Sequence, residues 1–173
     1  EIDRESRAYA YLGNLPFVPE CYGCIDRDAL AVEKIEGIAL ARAPDRGARR
    51  DDFLHQIRTA LGRLADLGFL HLDARNNKNL MLTTHGRVVF LDLAGSYWVR
   101  PGGLTYRVLR PLIDLYYEAN IIKWETLLHP EGDPREGHRK PPRYVHGLAD
   151  LWAAWKRIRV RASSTEERQQ RQR

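Results

Sequence analysis

Two cysteines are all this chain has, in Cys21-Tyr22-Gly23-Cys24, and nothing elsewhere supplies the second pair that a four-ligand zinc site would need. A redox pair belongs at a strand-to-helix turn. This one follows Val18-Pro19 and leads into a second apolar run, so two reduced thiols on a strand are expected. Long apolar runs are missing too: no stretch of about 18 uncharged residues is present to make a membrane span. The first residues, Glu1-Ile2-Asp3-Arg4-Glu5, are acidic and helical rather than basic and then apolar, which points to the cytoplasm. They also read as a helix already under way, so upstream sequence is expected. Charge of one sign is scarce outside the tail. The net charge of +5 is matched by the excess between Trp155 and Arg173, where Lys156, Arg157, Arg159, Arg161, Arg168, Arg171 and Arg173 face only Glu166 and Glu167. Such a tail suits nucleic acid or an anionic membrane surface, or is simply a solvated end.

At 173 residues the chain has the length and apolar content for a single core. Apolar residues at Ile2, Ala8, Tyr9, Tyr11 and Leu12 predict a helix that stops at Gly13-Asn14. Val18 to Ile25 and Ala29 to Ile35, separated by Asp26-Arg27-Asp28, predict a two-stranded hairpin closed by Glu36-Gly37. The Arg-rich stretch from Arg42 to Arg50 is a surface connection. Asp51 or Asp52 is expected to cap the next helix, whose Phe53, Ile57, Leu61, Leu64 and Leu67 recur every three or four residues. A short strand from Leu80 to Thr83, a turn at His85-Gly86 and a strand from Arg87 to Leu93 follow, and Gly95 to Leu104 reads as irregular. Pro111 is expected as the first residue of a buried helix running to His129-Pro130, and a last helix carries Val145, Leu148, Leu151, Trp152, Trp155 and Ile158. The two tryptophans share one helical face and read as core.

Between these elements lies His71-Leu72-Asp73-Ala74-Arg75-Asn76-Asn77-Lys78-Asn79, followed one hairpin later by Leu91-Asp92-Leu93-Ala94. Asp and Asn are common in loops as capping and turn residues. Two acids and an amide in this order also suit phosphoryl transfer. One carboxylate, Asp73, takes a proton from an attacking hydroxyl, while Asp92 and an amide oxygen hold hard magnesium against nucleotide phosphates. Arg75 or Lys78 would neutralise phosphate. The ring of His71 is expected to brace the backbone.

The order of helix, two strands, linker, long helix, His-x-Asp loop and Asp-ending hairpin resembles the protein-kinase-like fold over roughly residues 1–100. The resemblance implies an α+β architecture: residues 1–37 as a truncated upper lobe with a regulatory helix, two-stranded hairpin and hinge, 38–161 as a mostly helical lower lobe with the catalytic hairpin, and 162–173 as a basic polar tail. It implies ATP and Mg2+ as cofactors, Asp73 as catalytic base with His71, Arg75 and Lys78 around it, and Asp92 as metal ligand. The family pattern would put its second metal ligand at Lys78; with a one-residue bulge the preferred ligand is Asn79, which directly precedes Leu80-Met81-Leu82, with Asn76 and Asn77 as the other amides on offer. Glu5 resembles the glutamate of the family's regulatory helix, whose lysine partner and glycine-rich loop are not in this chain. Val32 to Ile35 looks like the hinge, where the Glu33 carbonyl and the Ile35 amide would contact adenine.

No long segment ending in Ala-Pro-Glu follows Asp92, so the chain is more similar to lipopolysaccharide sugar kinases and RIO-type atypical kinases than to ordinary protein kinases. The acceptor implied is a hydroxyl of a sugar, a glycolipid or a protein, with the enzyme in the cytoplasm or peripheral to the inner face of a membrane. A pseudokinase or binding module that works through its basic tail is the competing expectation.

Overall fold

Why the first helix ends where it does is visible in its last turn. In the computed structural model, which describes residues 2–129, α1 (Ile2–Leu12) gives way to Gly13, whose φ of +61° lets its N–H bond back to the Tyr9 carbonyl. The chain divides into two units, Glu1–His138 and Arg139–Arg173, and the described residues lie in the first. The expected last helix and the basic tail lie outside the described residues.

The hairpin forms as expected but shorter. β1 (Cys21–Cys24) pairs antiparallel with β2 (Leu30–Val32), with a bulge between Cys21 and Gly23. Both cysteines are free thiols, and the Cys24 thiol donates to the Ser6 hydroxyl on α1 at 3.3 Å. A strand not foreseen, β3 (Gly37–Ala39), then joins β5 (Leu80–Thr83), and β5 pairs with β6 (Val88–Phe90) into a three-stranded antiparallel sheet. β3 is too short and too exposed to show an alternating pattern. A 3-10 turn over Leu40–Arg42 leads to the long helix α2 (Arg50–Asp66). Its cap is Arg49, with no side-chain cap bond; Asp51 and Asp52 sit inside the first turn, where their charge complements the helix dipole.

Phe53, Ile57, Leu61 and Leu64 of α2 are fully buried with Phe69, Leu80, Phe90 and Trp124, so the helical stripe read from the sequence is the core. Each such side chain contributes about 1.5–3 kcal/mol by leaving water. Gly68 turns the chain out of α2 at φ +65°, and the Val99 carbonyl occupies the place a side chain would take. This close approach admits a second unforeseen ladder, β4 (Phe69–Leu70) with β7 (Tyr97–Trp98). Trp98 stacks on Phe69 at 5.9 Å and on Tyr11 of α1 at 5.5 Å.

The helix expected to start at Pro111 starts seven residues earlier: α3 is Leu104–Leu127, capped by Gly103, with Pro111 inside it. Pro111 is exposed and leaves the Arg107 carbonyl without its usual helical donor, a defect that water on that side can repair. Arg58 to Glu125, and Arg110 to Asp66 at 2.8 Å, tie α3 to α2. Among the described residues no helix is long and apolar enough to cross a membrane. The fold of the described residues is therefore α+β, three α-helices with small antiparallel sheets.

Candidate active site

The sheet brings the two polar segments side by side. β4 ends just before His71, β5 begins just after Asn79, and the β5–β6 ladder continues one step further, where the Leu91 N–H donates to the Asn79 carbonyl at 2.7 Å. Asp92 is the next residue. Between His71 and Asn79 the chain makes consecutive tight turns: Asn76 N–H bonds to the Asp73 carbonyl and Asn79 N–H to the Asn76 carbonyl, both at 2.9 Å.

Among the amides of this loop, Asn79 is the buried one, 6% exposed, whereas Asn76, Asn77 and Lys78 are exposed. The Asn79 Nδ2 donates to the Asp73 carbonyl at 3.3 Å, leaving Oδ1 as the amide atom open to a cation. The Asn76 side chain is already engaged, accepting from the Lys78 N–H at 3.1 Å. Asp92 is exposed and holds φ +58°, the one positive value at a non-glycine among the described residues. Such a backbone is uncommon and costs energy, and it aims an acid where an ordinary turn would not. Its Oδ1 accepts from the Ala94 N–H at 3.4 Å.

His71 is fully buried, and its ring faces the Leu91 carbonyl at 3.1 Å through Nε2. A carbonyl only accepts, so Nε2 carries the proton and Nδ1 is bare, with no partner among the described residues. Burial holds the ring down to about 4, against the opposing pull of Asp73, the Leu91 carbonyl and Asp92. A neutral, buried histidine that joins one loop to the other is a brace.

Asp73, half-buried, faces the turn after Asp92. A β-carbon built on Gly95 would lie on the Asp73 carboxylate, 3.2 Å from Cγ and closer still to Oδ2. Arg75 is half-buried and Lys78 exposed. On α1, burial pushes the Tyr9 phenol up, followed by the charges of Glu5, Cys21 and Asp92, so Glu5 and Asp92 both act on one hydroxyl. Glu33 and Ile35 lie elsewhere, in the connection between β2 and β3. Glu33 there pairs with Glu20, its N–H on the carbonyl at 2.7 Å and its carboxylate on the N–H at 3.1 Å.

What the sequence reading missed is the support behind the loop. Tyr116, Tyr117, Lys123 and Trp124, on one face of α3, all donate to backbone carbonyls of residues 69–75: Tyr116 to Leu72, Tyr117 to Phe69 at 2.8 Å, Lys123 to Arg75 and Trp124 to Ala74 at 3.2 Å. The Tyr117 hydroxyl also accepts from the His71 N–H at 3.0 Å. Burial pushes the Tyr116 hydroxyl up to about 12 and lowers Lys123, which Arg75 lowers further, so the tyrosine remains a donor. Polar-tipped aromatics spaced along an apolar helix were the available signal.

Among the described residues no group of three or more His, Cys, Asp or Glu side chains could hold a metal. The two groups the sequence offers to a cation, the Asp92 carboxylate and the Asn79 amide, are oxygen donors, the atom type that a hard ion such as magnesium takes beside water and phosphate oxygens. No protein-family model matches the chain, and no curated protein matches it.

Proposed function

We propose that this chain carries the catalytic centre of a protein-kinase-like phosphotransferase that moves the γ-phosphate of ATP to a hydroxyl. Asp73 takes the proton of the attacking hydroxyl, and Asp92 with Asn79 offers oxygens to magnesium. When bound, that ion neutralises the phosphate charge that builds during transfer. The observation that supports this reading best is the position of Asn79, bonded to the Asp73 carbonyl by its amide and to the Leu91 N–H by its carbonyl. One residue thereby fixes the spacing of the proton acceptor and the metal acid. Arg75 and Lys78 stand on the same loop, where cations would offset phosphate charge. The acceptor is a hydroxyl of a sugar, a glycolipid or a protein.

The test is magnesium-dependent ATP turnover by the full-length natural protein. Asp92→Ala should abolish it, because the remaining amide oxygen cannot hold the ion by itself. Turnover equal to the parent protein would overturn the assignment.

A further inference from the structure

We infer that Gly95 is a positioning residue, whose bare α-carbon lets the Asp73 carboxylate stand directly against the turn that carries Asp92. The inference rests on the phosphotransferase reading and adds a determinant to it. The other use of glycine, a left-handed backbone, does not apply: Gly13, Gly23, Gly68, Gly86 and Gly102 hold positive φ, and Gly95 does not. The space a side chain would need is occupied by one group. All three nearest atoms to a β-carbon at residue 95 belong to the Asp73 carboxyl: Oδ2, Cγ at 3.2 Å and Oδ1 at 4.0 Å.

Neither backbone is free to retreat. The Ser96 N–H bonds to the Leu93 carbonyl at 3.0 Å, Ser96 is fully buried, and Tyr97–Trp98 pairs with Phe69–Leu70, the strand that leads into His71. On the other side the Asp73 carbonyl is held by Asn79 and Asn76. The movable part is the carboxylate itself. An alanine at 95 would rotate it away from the incoming hydroxyl while sparing the fold, because the clash is with the end of a side chain rather than with backbone.

The experiment is a double-mutant cycle in the full-length natural protein, with Gly95→Ala, Asp73→Ala and both together, read by ATP turnover and by thermal unfolding. Gly95→Ala should lower kcat roughly 10- to 100-fold, the size of effect expected from an ångström-scale misplacement, with KM for ATP unchanged. In the Asp73→Ala background, where turnover is already lost, thermal unfolding is the readout, and the same change should lower Tm by less than it does in the parent, since the colliding group is gone. Parental kcat in Gly95→Ala alongside lost turnover in Asp73→Ala would overturn the role of Gly95 and leave the phosphotransferase reading standing. A Tm loss from Gly95→Ala that is as large without Asp73 as with it would overturn it as well. Parental turnover in Asp73→Ala would instead remove the phosphotransferase reading, and this inference with it.

Discussion

His71 shows how a single residue's burial sets a pH limit on the whole site. Its ring is held down to about 4, from an ordinary value of 6.5, because burial penalises the charged form. The unfolded chain therefore takes up the proton first as pH falls. The stabilisation from the neutral ring is complete above about pH 6.5 and is lost progressively toward pH 4, by roughly 3 kcal/mol over that window. Thermal unfolding at pH 7.5 and pH 5 should show a drop in Tm that His71→Gln reduces. An equal drop in the variant would assign the acid sensitivity to other groups. The histidine was read in the sequence as a brace for the backbone of its own loop. Its partner, the Leu91 carbonyl, was not legible, because a backbone atom has no sequence signature.

Elements were read well where a side-chain period spans several turns and poorly where pairing alone defines them. α2 displays its stripe over seventeen residues, so its apolar face predicted the core. β3, β4 and β7 are two or three residues long and exist because a partner strand lies alongside. α3 was started too late because proline is common at a first helical position, whereas here Gly103 caps the helix and exposure tolerates Pro111. Pro111→Ala should restore the N–H toward the Arg107 carbonyl and raise stability by about 1–2 kcal/mol in denaturant unfolding. Unchanged or lower stability would mean that the rigidity of proline in the unfolded chain outweighs the missing bond. The opposite sign is expected on the buried face of the same helix. Tyr117→Phe removes the hydroxyl that satisfies both the Phe69 carbonyl and the His71 N–H, and should cost about 2–4 kcal/mol through two unpaired buried groups. A cost below about 0.5 kcal/mol would show that water or a shifted backbone replaces it.

At the scale of the molecule, the sequence by itself determined the α+β composition, the core stripe of α2 and the identity of the polar loop residues. Composition and periodicity are local, and each of these features repeats or clusters within a few turns of chain. Only the tertiary structure decided which residues meet: that Asn79 rather than Asn76 or Lys78 is buried between the Asp73 and Leu91 backbones, that Asp92 adopts a left-handed backbone, and that Gly95 lies against Asp73. It alone set α3 behind the loop, with the tips of four side chains on its carbonyls. The physical reason is distance along the chain. Tyr117 lies 48 residues from Phe69, and a hydrogen bond across that interval is fixed by how α3 packs on α2, not by the residues next to either end.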